Sequence, residues 1–421
     1  MRICRRRNVA WLGVGCLLCH TVLSAVAQTE RGDKPPPSAA TAPADFRSRN
    51  FLMHTDLTAD EAKQLLERLE TMLELISAYW ARVPAGIIEC YVVKDLANWP
   101  PGSIPAEGMP QILAGAGVTI TNKLSQGFAF VARSVVYSVA KRGTPQHEAV
   151  HAYCGQMFGT TGPVWYSEGM AEMGKYWRKD DKSVQCDDYV IDYLKSSEPK
   201  SLNEIVNGKE FTGDSWQNYA WRWALCHLLA NNTNYAAQFR PLGLALLKKE
   251  LTSFEQVYGA MAPEIMFEYR FFLKHLEQGY RADLCSWDWN KKWRTLKGSV
   301  TVTAKLRADR GWQASGALMA GGARYQYKAT GAWRLGKEEP DLAADGAPDD
   351  GAGRLTAAVL ATSDEEGQEY LLSKEFKLGA EGTFKAPAAG KLYLRCRDAW
   401  GQLADNQGTM TVKLKVQGKK K

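Results

Sequence analysis

Thr144-Pro145-Gln146-His147-Glu148-Ala149-Val150-His151 holds the residues best suited to chemistry in this chain. Only six histidines occur among 421 residues, and two of them stand four apart here. On a helix that spacing places both imidazoles on one face, one turn apart, where they can share a metal ion. Glu148 follows the first histidine and lies beside the same face. There it can take a proton from water activated by the metal. Thr144 has the side chain of an N-cap, Pro145 suits the first helical turn and Gly159 suits the stop.

A third ligand is offered by Pro163-Val164-Trp165-Tyr166-Ser167-Glu168-Gly169-Met170-Ala171-Glu172. Ser167 reads as the N-cap of a second helix, on which Glu168 and Glu172 share a face. Glu168 completes a His2Glu set, the composition of a catalytic zinc site with one position left open. Glu172, one turn on, is placed to accept the remaining N–H of a ligand histidine. Cys154 falls on the histidine face. A thiolate there would close the site, so it reads as a packed core thiol.

The pattern His147-Glu-x-x-His151 followed by Trp165-x-x-Glu168-Gly-x-Ala resembles the gluzincin peptidases, and among them the bacterial peptidase-MA-like domains, over residues 46–284. The resemblance implies a zinc-dependent enzyme acting on a peptide or protein. It also implies a small N-terminal sheet followed by a mostly helical region, with one strand of 117–139 lining the cleft and pairing with an extended peptide. Sixteen residues, 152 to 167, separate His151 from Glu168, slightly fewer than in aminopeptidase-N-like members. The Gly-rich motif that holds a free amine in aminopeptidases is missing, so aminopeptidase activity is not implied. In gluzincins a tyrosine opening a helix after the ligand glutamate often steadies the oxyanion. Tyr219 matches by placement, and a donor aimed at developing charge is the physical basis. A tyrosine packed in a helical core is the alternative. His227, in the same run among Leu and Cys, reads as packed.

Positioning elements follow from periodicity. Leu57 to Val83 repeats apolar residues at helical spacing, with Asp56 or Thr58 as cap. Residues 86–93, 117–121 and 128–139 read as strands. Helices are expected at 145–158, 167–178, 215–231, 236–249, 253–259 and 263–279. Residues 286–298 form a Trp- and Lys-rich connector. From 299 to 417 short strands alternate with Gly-rich turns, among them 300–306, 324–330, 355–361, 391–397 and 409–416, and 337–353 reads as an exposed loop. The fold class is therefore α+β, a catalytic domain at 46–285 followed by an all-β sandwich.

The β region resembles galactophilic calcium lectins through residues 315–333, 392–398 and 405–408. The resemblance implies carbohydrate binding and a calcium ion held by Asp398, Asp405 and Asn406, whose oxygen atoms suit a hard cation. Asp-Asn-x-Gly is equally a turn sequence. Trp400 can stack on a sugar or pack on the sandwich.

Hydrophobic residues at 45% and charged residues at 24% describe an ordinary globular chain. Arg2, Arg5, Arg6 and Arg7 precede the apolar run 9–22, and Ala25-Val26-Ala27 suits cleavage. Residues 1–27 thus read as a signal peptide, implying a secreted or periplasmic protein with no membrane span after cleavage. Residues 28–45 read as a disordered linker. Losing four arginines and no acid takes the formal charge from +7 to +3, too mild for a nucleic-acid partner. Six cysteines remain, and spacing does not choose among packed thiols and fifteen pairings. Two further readings stay open. One is an inactive peptidase relic acting as a surface or sugar-binding protein, against which the retained Glu148 speaks. The other is a zinc hydrolase of non-peptide amides.

Overall fold

In the computed structural model, residues 42–126, 129–141, 143–208, 215–363 and 369–418 are described. The expected signal peptide and nearly all of the linker fall outside them. Strand β1 (Ala44–Arg47) already contains Phe46, the expected start of the fold. Next come β2 (Phe51–Thr55), α1 (Ala59–Trp80), β3 (Ile88–Val93), α2 (Met109–Leu113), β4 (Gly117–Gln126) and β5 (Ala129–Val139). The sheet order is β1-β2-β3-β5-β4, with β4 antiparallel to β5 at the edge.

Helix α1 buries the apolar stripe read from sequence, from Ala62 to Trp80. Each large side chain there contributes about 1.5–3 kcal/mol by leaving water. Of the two candidate caps, Thr58 is used. Its hydroxyl accepts from the Glu61 N–H while Glu61 accepts from the Thr58 N–H. Asp56 instead accepts the backbone N–H groups of Lys94 and Asp95, fixing the end of β3.

The helical stretch runs α3 (Thr144–Phe158), α4 (Val164–Tyr176), α5 (Asp188–Ser196), α6 (Leu202–Asn207), α7 (Trp216–Asn231), α8 (Ala236–Leu247), α9 (Phe254–Tyr258) and α10 (Ala262–Lys274). Two expected caps are corrected. Thr144 is the first residue of α3, because Gly143 takes the cap position at φ 70°, and the Thr144 hydroxyl donates to Lys141 O at 2.8 Å. Ser167 lies inside α4, which starts three residues earlier. Pro163 supplies the extended cap conformation, and buried Trp165 and Tyr166 anchor the first turn.

The β region comprises β6 (Arg294–Thr295), β7 (Thr301–Arg307), β8 (Gln313–Met319), β9 (Arg324–Arg334), β10 (Leu355–Thr362), β11 (Tyr370–Leu372), β12 (Phe376–Lys377), β13 (Glu381–Lys385), β14 (Gly390–Cys396) and β15 (Gln407–Val416). One sheet has the order β11-β10-β14-β8-β6 with β12 also on β10, and the other β13-β9-β15-β7. Their facing sides share one core, from Val359 and Leu394 to Val412 and Leu414. In the expected exposed loop 337–353, Leu342 pairs back onto Trp333 and Ala344 is buried.

Strand β10 is buried on both faces, which explains its unbroken apolar sequence. Its second face, with Tyr393 of β14, joins the core of the helical region through the connector. Trp287 lies 4.4 Å from Tyr393 and 4.9 Å from Phe267, ring centre to ring centre. The chain from Thr41 onward is one compact unit. All six cysteines in it are buried free thiols.

Glu268 of α10 ties this seam together. It is buried, and it accepts hydrogen bonds from Tyr235 (2.7 Å), Trp289 Nε1 (2.7 Å), Asn234 (2.9 Å), the Trp287 N–H (3.3 Å) and Asn232. Burial pushes its carboxyl pKa up, against those donors. Glu268→Ala strands several buried donors at once, each costing about 1–3 kcal/mol. Urea unfolding of this variant is expected to show a loss of about 3–5 kcal/mol. A loss under about 1 kcal/mol would mean that the seam does not depend on this carboxylate.

Candidate metal centre

Helices α3 and α4 bring their acidic and imidazole faces together. Gly169 lets α4 seat closely on α7, since a Cβ there would lie 2.8 Å from Arg222 O and against the Cys226 sulfur. His147 Nε2 and His151 Nε2 stand 3.2 Å apart. Glu168 Oε2 is 3.2 Å from the first and 3.4 Å from the second. A tetrahedral ion with bonds of about 2.0–2.1 Å spaces its ligand atoms about 3.3–3.4 Å apart. The donor triangle therefore fits a zinc-sized ion. Among the described residues no other group of three such ligands converges.

Both rings are fixed from behind. His147 Nδ1 lies 2.9 Å from Glu172 Oε1, and His151 Nδ1 lies 3.2 Å from Ser167 Oγ. Engaging Nδ1 leaves each Nε2 to face the third ligand. Glu172 thus takes the place expected of it, and Ser167, expected as a cap, serves His151.

The electrostatics ask for a cation. Burial alone would push the His147 pKa down, but Glu168 and Glu172 outweigh it and raise it to about 10. Burial opposes the charge of Glu168, yet the two imidazoles hold its carboxyl well below the usual range. Glu172 is likewise lowered, by His147 and Lys175, against burial. The raised pKa of His147 favours a proton there that balances the acids, and a metal ion bound by the three donors would displace it.

Glu148 stands on the cleft side of α3. The Thr119 hydroxyl lies 2.9 Å from its Oε2 and 2.7 Å from its backbone O. A Cβ at Gly117 would lie 2.7 Å from Glu148 Cγ, so glycine is required for β4 to pass so near. The cleft measures about 600 Å³. Edge strand β4 lines one side, and Tyr189, Trp216 and Tyr219 line it too. Tyr219 is half-buried with its ring 5.3 Å from that of His147, so it faces the site rather than a helical core. Cys154 is in the core and outside the ligand group. His227 is packed as expected, stacked on Phe272 at 5.8 Å, with burial pushing it down to about 4.

The residues expected to hold calcium are only partly assembled. Asn406 Nδ2 donates to Asp398 Oδ2 at 2.9 Å and the Ala399 N–H donates to Asp398 Oδ1 at 2.8 Å, a turn-like arrangement. Asp405 is exposed. Trp400 is buried beneath the Arg395 guanidinium, 3.7 Å from its ring centre, and beside Phe271 and His275. It packs and is not available as a sugar platform.

The sequence reading missed Thr119, Gly117 and Lys175. Lys175 alone carried a local signal, three residues after Glu172 on the same helix. Its Nζ lies 3.3 Å from Glu172 Oε2 and 3.7 Å from Asp187 Oδ2.

No family model and no curated protein matches the chain. Among solved structures it is similar to the N-terminal domain of EclA, a PllA-like lectin, at 22% identity and a TM-score of 0.22, covering 28% of this chain and 96% of that one. A functionally unknown conserved protein from Bacillus anthracis str. Ames gives 13% identity and a TM-score of 0.16, over 28% of this chain and 21% of that one. IMPa from Pseudomonas aeruginosa, in complex with an O-glycopeptide, gives 16% and 0.18, over 59% of this chain and 27% of that one. The chain thus spans about a quarter or less of the last two proteins. Overlaps of this size assign neither a fold nor a function to the whole chain.

Lys175 holds Glu172, and Glu172 holds His147. Lys175→Met is expected to weaken zinc affinity by roughly tenfold, the lower end for groups that orient a metal ligand, while Lys175→Arg retains most of it. Competition with a chromophoric chelator measures both, and equal affinity in Lys175→Met and parent would contradict this role.

Proposed function

We propose that this chain is a zinc-dependent hydrolase of peptide bonds. The observation that carries this reading is the triangle of His147, His151 and Glu168 with the carboxylate of Glu148 beside it on the cleft wall. Zinc held there would supply Lewis acidity, polarising an amide carbonyl and acidifying water. Glu148 is the general base. Thr119 orients its carboxylate through Oε2, leaving Oε1 to take the proton and later pass it to the leaving amine. Tyr219 donates to the oxygen on which negative charge develops.

Substrate placement follows from the cleft walls. Among the described residues β4 pairs with β5 on one side only, so an extended peptide can add to its other edge as a further strand. Trp216 and Tyr189, 40% and 41% exposed, stand edge to face at 5.1 Å. Large aromatic side chains left open in a cleft favour an apolar group of the substrate. Export, read from residues 1–27, belongs to the same proposal, and no described helix is long and apolar enough to cross a membrane.

The test uses residues 28–421 and a fluorogenic peptide library. The parent is expected to cleave and to stop on chelation. Glu148→Gln should keep its zinc and lose on the order of 10²–10⁴ in kcat, the range of a positioned general base. Zinc-loaded parent that leaves every peptide intact would move the reading to a non-peptide amide, and equal rates for parent and variant would remove Glu148 from the role.

A further inference from the structure

The outer face of the four-stranded sheet is unusually basic. Strand β7 turns Thr301, Thr303, Lys305 and Arg307 outward, while Val302, Ala304 and Leu306 point into the core. The same alternation exposes Lys413 and Lys415 on β15, Arg324 and Lys328 on β9, and Lys385 on β13. Glu381 is the one acid these four strands expose among the described residues, and it pairs with Lys328 at 3.2 Å. Arg307 pairs with Asp309. Lys305, Arg324, Lys385, Lys413 and Lys415 have no ion pair among the described residues.

Register makes the arrangement costly. Lys413 stands directly opposite Lys328, and Arg324 directly opposite Lys385. Like charges opposed across neighbouring strands destabilise a sheet. Glu381 offsets the charge of Lys328 alone, and no ion pair among the described residues relieves Arg324, Lys385 or Lys413, where a bound anion would.

The cations form an oblique band. It starts with Lys385 and Arg324, passes Lys415, then Lys413 and Lys328, and ends with Lys305 and Arg307. Side chains two apart on a strand are spaced about 6.7 Å and strands about 4.8 Å, so the band extends over about 30 Å. Thr301, Thr303, Thr411, Gln326 and Thr383 fill the positions between and beside the charges with neutral hydrogen-bonding groups.

We propose that this sheet face binds an acidic polysaccharide. An extended polymer carrying carboxylate or sulfate groups matches the length and sign of the band, and the threonine and glutamine side chains match sugar hydroxyls. The face carries no aromatic side chain on which single-stranded bases would stack. Nor does it expose a large apolar residue to enter a membrane interface. Lysines acting as separate point charges, rather than paired arginine forks, suit anions spaced along a flexible chain.

The experiment immobilises heparin, a polyuronate and neutral dextran, and measures binding of residues 28–421 by interferometry at rising salt. The partner variant carries Lys305→Thr, Lys413→Thr and Lys415→Thr, which keep strand propensity. The parent is expected to bind heparin or the polyuronate, to release with salt and to ignore dextran. Which polymer binds more tightly tells sulfate from carboxylate. The triple variant should bind at least tenfold more weakly and melt at or above the parent's temperature, because repulsion has been relieved. Equal binding by parent and variant, no binding of either acidic polymer at low salt, or tighter binding to single-stranded DNA or phosphatidylserine vesicles would overturn the proposal. So would a variant that melts well below the parent, since the lysines would then be kept for the fold.

Discussion

Two helices that face each other with more acid than base set the terms for this molecule. Glu168 and Glu172 of α4 meet His147 and His151 of α3 within hydrogen-bonding distance, at the floor of the cleft. Acids and imidazoles so close need positive charge between them. Those acids raise the pKa of His147, which favours a proton there, and a divalent ion held by the three donors would supply more charge. Lys175 adds a fixed charge behind Glu172. The edge strand β4 then places Thr119 and Gly117 against Glu148, so one cleft wall both holds that carboxylate and presents a strand edge. The donor triangle, the Glu148 carboxylate and the cleft wall all depend on how α3 sits between α4 and β4.

The β region is joined to this core rather than suspended from it. Strand β10 is apolar on both faces because one packs on the four-stranded sheet and the other on the connector tryptophans. Glu268 gathers donors from the turn between α7 and α8 and from the connector. Burying that carboxylate is expensive, and its five partners are what make it tolerable. The sheet face turned away from the seam is left to solvent, and it carries the basic band.

The chemistry was more legible in the sequence than its support. His147, His151, Glu168 and Glu172 were found because helical spacing is a local property and two short segments contain all four. Tyr219 was placed by resemblance, and its position beside His147 is a fact of α7 packing that spacing alone does not reveal. Thr119 and Gly117 lie some thirty residues from Glu148 in sequence, and only strand register brings them together. Caps at Thr144 and Ser167 were misread because Gly143 and Pro163 reach the required backbone geometry first. Helix α6 went unnoticed although Ser201 and Glu204 spell a capping box. Strands such as β7 and β15 were visible through alternation. Short β11, β12 and β13 were not, because two to five residues hold too little pattern. Trp400 was left open by sequence, and the packing of Arg395, Phe271 and His275 around it decides for the core.

The most direct test of the account is zinc X-ray absorption on residues 28–421 loaded with one equivalent of metal, beside Glu168→Gln. The account predicts one tightly held zinc per chain with nitrogen and oxygen ligands at about 2.0–2.1 Å, two of them imidazole, and much weaker retention in the variant. A chain that keeps no zinc after dialysis would contradict it. So would a sulfur ligand at about 2.3 Å, which would place a cysteine where Glu168 stands.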